Sequence, residues 1–258
     1  MKNIFKIICI AVLVAGINPV SAAEKTSLLK VDWSFKGIFG KFDRGSLQRG
    51  YQVYTEVCAS CHSMKYLSYR NLAEKGGPEF SIEQVKAIAA SFEVTDGPNS
   101  DGEMFERPAK LSDKFVKPYE NVKAAQAANG GAYPPDMSVL AKARSGGVDY
   151  IYSVLLGYED PPSGVTLDDG VYYNKYMYGN NIKMAQPLSD GLIEYTDGTI
   201  ASEEQMAKDV STFLMWAAEP HLEARHKMGF KAILYLIILT ILVYFSMKKI
   251  WSRIESKV

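Results

Sequence analysis

Cys58-Ala59-Ser60-Cys61-His62 decides how the rest of this 258-residue chain is read. Two cysteines at i and i+3, followed at once by a histidine, form the attachment pattern of a covalently bound c-type haem. On a helical turn the three side chains share a face, so both thiols and the imidazole can meet one flat ligand. The sulfurs add to the two vinyl groups, and His62 is brought under the ring to donate a nitrogen to iron. Paired cysteines also serve redox disulfides and zinc. A redox disulfide wants a strand before the motif in a βαβ setting, and none is evident. Zinc wants a second ligand pair, whereas the one other cysteine is Cys9 and the other histidines are the distant His221 and His226. One motif implies one haem c, attached through Cys58 and Cys61.

The two ends of the chain speak for a compartment. Lys2 and Lys6 precede the apolar run Ile7 to Ile17, and Val20-Ser21-Ala22-Ala23 supplies small residues for cleavage after Ala22 or Ala23. Residues 1–23 therefore read as a cleaved signal peptide and 24–226 as a domain exported to the periplasm. The run from Gly229 to Met247 is almost wholly apolar and, at ~1.5 Å per residue, about 28 Å long, the thickness of a bilayer's hydrocarbon. A transmembrane anchor is expected over 227–250. Lys248, Lys249 and Arg253 beyond it put the tail, 251–258, in the cytoplasm. The location expected is the bacterial inner membrane, crossed once.

The zero net charge hides an asymmetry. Two of the 29 basic residues lie in the leader and six from Lys227 onward, whereas of the 29 acidic residues one, Glu255, lies outside the domain. That leaves 21 against 28, near −7, and no nucleic-acid partner is expected. Acid gathers at Glu93, Asp96, Asp101, Glu103 and Glu106, and again at Glu159, Asp160, Asp168 and Asp169. Such runs are ordinarily solvated loops, and a face steering a basic electron carrier is the sharper alternative.

Within the domain, Leu47, Tyr51, Tyr54, Cys58 and Cys61 recur at helical spacing, with Gly50 offering a close approach. The spacing predicts a helix with the haem motif at its C-terminal end. Ser81 with Gln84 predicts a capping box opening a helix to about Phe92. Ser202 with Gln205 opens another, striped by Met206, Val210, Phe213, Leu214 and Ala217 and ending before Pro220. Pro and Gly interrupt everything between, which suits short helices and long loops organised around a cofactor.

A closed electron carrier needs a second axial ligand. His221 and His226 sit too near the anchor, Met64 too near His62, and Met206, Met215, Met228 and Met247 belong to the amphipathic helix or the membrane boundary. Met104, Met137, Met177 and Met184 remain. Met184 is favoured because Pro187 can stiffen its loop, with Met177 second.

The chain resembles the cytochrome c1 family, haem subunits of the ubiquinol:cytochrome c oxidoreductase, over essentially the whole mature length. The resemblance rests on Trp33-Ser-Phe-Lys-Gly-Ile-Phe-Gly-Lys-Phe-Asp43, on Leu47 through His62, and on Arg107-Pro-Ala-Lys-Leu-Ser-Asp113. Pro134-Pro-Asp136, Asp149-Tyr-Ile-Tyr-Ser153 and Trp216-Ala-Ala-Glu-Pro220 complete it. It implies a mainly α, cytochrome c-like haem domain with long irregular loops plus one C-terminal transmembrane helix. It implies His62 and Met184 as the iron ligands, Arg144 on a haem propionate, and Tyr150 and Asn129 as haem-pocket contacts. The chain departs from many members at Ser145 and Gln186, and it has no cysteines to close the Met184 loop.

The activity implied is one-electron transfer from a Rieske iron–sulfur protein to a c-type cytochrome, beside cytochrome b in a dimeric complex. No residue of this chain is expected to act as acid, base or nucleophile; oxidoreductase activity belongs to the complex. An anchored cytochrome of another oxidase or reductase and a haem-based sensor are the alternatives.

Overall fold

A computed structural model describes residues 26–255, so the leader lies outside the described residues. The elements are, in order, α1 (Arg44–Val53), continued by a π turn (Tyr54–Cys58), a 3-10 turn (Tyr69–Ala73), α2 (Ile82–Ala90), β1 (Glu93–Asp96) and β2 (Phe105–Pro108). Then come α3 (Val122–Ala128), α4 (Leu140–Ala143), α5 (Gly147–Leu155), β3 (Tyr172–Tyr173) and β4 (Asn181–Ile182), α6 (Glu203–Ala218) and the long α7 (Leu222–Glu255). The fold is mainly helical with irregular loops, and its two small sheets are antiparallel pairs, β1 with β2 and β3 with β4.

Local chemistry starts the helices where the sequence reading put them. Asp43 caps α1 by accepting from the Ser46 N–H at 2.7 Å. Ser81 and Gln84 close a reciprocal box before α2, at 3.1 and 2.8 Å, and that helix stops at Ala90, two residues short of Phe92. Before α6 the box is half made. Ser202 Oγ accepts from the Gln205 N–H at 3.2 Å, but the Gln205 side chain turns away and donates to Asp209 at 2.9 Å.

The core lies between α1 and α6, which pack along each other. Leu47, Tyr51, Val53 and Tyr54 meet Met206, Val210, Phe213 and Leu214, all buried. Aromatic rings carry the core toward the haem motif: Tyr51 and Tyr54 stand 5.8 and 5.9 Å from Phe213 and 6.1 and 6.2 Å from Phe115. Gly50 makes the close approach possible. A β-carbon there would lie 2.1 Å from the Asp209 carbonyl oxygen and 2.7 Å from Phe213 Cβ. Gly50→Ala must push two backbones apart, so a stability loss of about 3 kcal/mol is expected, the upper end of overpacking costs. Thermal unfolding of the haem-loaded variant checks it.

The N-terminal strap is held by Asp149 on α5. This buried carboxylate accepts from the Trp33 indole N–H at 2.5 Å and faces Lys30 and Lys36 at 3.3 and 3.4 Å. Burial pushes the carboxyl up, but the indole and the two ammoniums outweigh it and hold it below the ordinary aspartate range. A depressed carboxylate contributes stability above its unfolded value, about 3.9, and loses it as pH falls through the lower folded value. Asp149→Asn is therefore expected to unfold at lower temperature than the parent at pH 7, with the gap closing towards pH 3.

The anchor helix grows straight out of the domain. Arg44 on α1 makes a two-pronged pair with Glu223 in the first turn of α7, at 2.8 and 3.1 Å, and Glu223 also accepts from the Phe42 N–H at 3.0 Å. Glu219, just before the helix, pairs with Lys142 at 2.6 Å and with Arg225. Its 34 residues extend about 51 Å, and the apolar side chains from Phe230 onward are exposed. This is a single membrane anchor, longer than the apolar run itself because its first turns belong to the domain.

Candidate functional site

The haem motif occupies the end of the first helix, in a form the sequence does not announce. The last turn of that helix is wound as a π turn, with the Ala59 N–H donating to the Tyr54 carbonyl at 2.8 Å. The Cys58 carbonyl then accepts from both Cys61 N–H and His62 N–H, at 3.1 and 2.9 Å. The i, i+3, i+4 face is thus built on one isolated turn after the helix has ended. Tyr54 secures it by donating its hydroxyl to the His62 carbonyl at 3.2 Å. Cys58 and Cys61 are free, half-buried thiols. Burial, with Cys61 adding to it, pushes the Cys58 thiol up to about 12, which makes it a poor nucleophile for disulfide exchange at neutral pH.

His62 is buried, and its ring has one defined orientation. Nδ1 stands 2.8 Å from the Pro135 carbonyl oxygen, which can only accept, so Nδ1 carries the proton and Nε2 keeps its lone pair. Burial pulls the imidazole below its usual range against the opposing pull of that carbonyl, leaving a neutral donor. Pro135 is in turn held in place by its neighbour. Asp136 accepts from Ser63 Oγ at 2.8 Å, Lys65 N–H at 3.0 Å and Ser138 N–H at 3.0 Å, while the Met137 N–H donates to the Ser63 carbonyl at 2.8 Å. The Pro134-Pro135-Asp136 segment is therefore a clamp on residues 62–65, orienting a ligand nitrogen from behind.

A second chain of contacts runs from the motif to Met184. Tyr119 Oη lies 3.9 Å from Cys61 Sγ, and Asn129 Nδ2 donates to Tyr119 Oη at 3.1 Å. From the adjoining Gly130 the carbonyl accepts Lys183 Nζ at 2.9 Å, and Met184 follows directly. Met184 is half-buried, and its carbonyl accepts from Tyr158 Oη at 3.0 Å. The β3–β4 pairing, Tyr172 with Ile182, fixes the strand that delivers it. Buried Asn174 closes the connecting loop, donating to the Val154 carbonyl at 2.8 Å and accepting from the Tyr176 and Met177 N–H groups at 3.1 Å. A loop without a cysteine is thereby held by a hairpin and two side-chain tethers.

The remaining expected residues form a separate group. Arg144 is exposed at the end of α4, close enough to Tyr150 for its charge to oppose the upward pull of burial on that hydroxyl. Tyr150 Oη donates to Met177 Sδ at 3.1 Å, so the sulfur of the second candidate methionine is already engaged. Met137 is buried in the core and Met104 is 60% exposed.

Two free thiols, a neutral imidazole with an open Nε2, and a tethered thioether loop match the donor set a haem c requires. Sequence reasoning placed His62 but missed what orients it. The Pro-Pro pair was a signal, since it presents carbonyls in a rigid extended backbone with no N–H of its own. Tyr119, Tyr158 and Asn174 left no local signature.

The family model described as the cytochrome C1 family matches residues 33–254. The chain is 52% identical over 239 residues to cytochrome b/c1 of Bradyrhizobium diazoefficiens, covering 85% of this chain but 35% of that longer protein. It is 46% identical over 245 residues to cytochrome c1 of Rhodospirillum rubrum, covering 89% of each. To the cytochrome b-c1 complex catalytic subunit, mitochondrial, of Candida albicans it is 48% identical over 227 residues, covering 88% of this chain and 78% of the other.

Proposed function

This chain belongs to the cytochrome c1 family, and from that membership we propose that it relays single electrons within a cytochrome b-c1 complex. It takes each electron from a Rieske iron–sulfur protein and passes it to a c-type cytochrome. One haem c, when bound, supplies the Fe(III)/Fe(II) couple. Cys58 and Cys61 hold it by thioether bonds. His62 gives the proximal nitrogen and Met184 the opposite sulfur, a soft donor that favours Fe(II) and so raises the potential. Arg144 pairs with a propionate, and Tyr150 and Asn129 border the pocket.

The observation that carries this reading is His62. Its Nδ1–H is committed to the Pro135 carbonyl at 2.8 Å, which leaves Nε2 aimed, neutral and free to bind a metal. For the sixth position, the hydrogen bond on Met177 Sδ supports Met184 over Met177. A relative whose name joins b and c1 supports an anchor lying beside cytochrome b.

Quinol oxidation belongs to the complex, expected as a dimer. Residues 1–23 are a cleaved signal peptide, 24–226 a periplasmic haem domain, 227–250 the anchor in the inner membrane and 251–258 a cytoplasmic tail. Extraction in mild detergent tests the assignment: cytochrome b and a Rieske protein must co-purify with the chain. Recovery with an oxidase, or with neither partner, sinks it.

A further inference from the structure

The segment Trp33 to Phe42 forms a closed turn with an unusual distribution of apolar side chains. Its roots, Trp33, Phe35 and Phe42, are buried and stacked, with ring centroids 5.6 and 5.0 Å apart. The tip is the reverse: Ile38 is 72% and Phe39 71% exposed. The turn is built to hold that tip outward. Gly37 adopts φ +82°, and a β-carbon at Gly40 would lie 2.3 Å from the Phe35 carbonyl. The Gly40 and Lys41 N–H groups donate to Gly37 and Ser34 carbonyls at 3.1 and 3.0 Å. Asp149 pins the base through Trp33 and Lys36.

The tip has one aromatic neighbour outside the turn, and it lies on the anchor. Phe39 meets Phe230 of α7 with ring centroids 6.0 Å apart. Phe230 stands eight residues before Ile238, the middle of the apolar run 229–247. At helical rise that is about 12 Å from the midplane, inside the ~15 Å half-thickness of hydrocarbon. A ring stacked beside it falls at the boundary between acyl chains and headgroups. Lys36 and Lys41 bracket the tip, and Lys227 and Lys231 flank Phe230, the pairing of apolar and basic side chains that suits an anionic lipid surface.

We propose that Ile38 and Phe39 are a second membrane contact, inserted into the bilayer interface beside the anchor. One helix leaves a domain free to tilt and to rotate about its axis. A second contact, held to the first by Phe39–Phe230 and Arg44–Glu223, removes that freedom and sets the attitude of the haem motif to the bilayer.

Spin labels test this in the full-length, haem-loaded chain reconstituted in nanodiscs of phosphatidylcholine and phosphatidylglycerol. Cys9→Ser provides the background, since Cys58 and Cys61 are consumed by haem; labels go on Phe39→Cys, Ile238→Cys and Asp101→Cys. Oxygen partitions into lipid and a charged nickel chelate into water. The expected oxygen-to-nickel accessibility ratio at 39 is several-fold above that at exposed, acidic-loop position 101 and approaches that at 238. A ratio at 39 equal to that at 101, with 238 in lipid, overturns the contact while leaving the anchor intact; water at 238 as well would overturn the anchor itself. A label at 39 shielded from both reagents in the purified complex would assign the tip to a protein socket and overturn the lipid assignment.

Discussion

Met184→Leu is expected to abolish the red-region methionine-to-iron absorption band and to lower the midpoint potential by a few tenths of a volt, given the ~0.8 V that axial ligands span. Leucine nearly conserves the volume of methionine, so the loop held by Lys183, Tyr158 and the β3–β4 pair should stay folded. What disappears is the sulfur lone pair. Covalent haem content, which depends on Cys58 and Cys61, should be unchanged in the denatured pyridine spectrum. That combination separates loss of a ligand from loss of the domain. Met177→Leu is the control: its sulfur already accepts from Tyr150, and its band should survive. If the band instead survives in the Met184 variant and vanishes in the Met177 variant, the ligand has been misassigned.

Asp209→Ala is expected to cost about 3–5 kcal/mol, the range for stripping one partner from a buried ion pair. Asp209 is fully buried on α6 and accepts from Ser46 Oγ at 2.7 Å, Arg49 Nε at 2.8 Å and Gln205 Nε2 at 2.9 Å. Alanine strands three donors at the junction where α1 lies closest to α6. Arg49 retains Asp197 at 2.8 Å, which limits the damage on that side. For a domain of this size the loss corresponds to a thermal midpoint lower by on the order of 10 °C. Asp209→Asn, which keeps an acceptor and removes the charge, should fall between the two. Calorimetry on the haem-loaded chain measures both, and a midpoint unchanged by alanine would remove the cluster from any role in joining the helices.

What the sequence revealed was whatever is local or periodic. The haem motif, the Ser81 cap, the apolar stripe of α6 and the anchor each depend on residues within a few positions of one another, and each stands where the pattern put it. Gly50 was legible as a close approach, though not its partner, Asp209. Contacts between distant segments left no trace: His62 with Pro135, 73 residues apart, or Arg44 with Glu223, 179 apart. The first acidic run shows the same limit. It forms the β1–β2 hairpin, and Arg107 engages Asp96 and reaches Asp113 at 2.6 Å, so part of an apparent negative face is neutralised internally. The capping box before α6 was half right because Gln205 had a better acceptor one turn away in Asp209.

The π turn of Tyr54–Cys58 gives the chain an unusual sensitivity to length. A π turn holds one more residue than an α turn between the same hydrogen-bonded ends. Deleting any one residue there would let the helix close into regular geometry and carry everything after it around by about 100°, the rotation per residue. Every side chain of the attachment motif would survive, yet both thiols and the imidazole would point away from the Pro135 clamp. In families of such chains, this short stretch is where insertions and deletions should be absent, while the β1–β2 tip can gain or lose residues freely. Frame length, as much as residue identity, is what this part of the gene has to preserve.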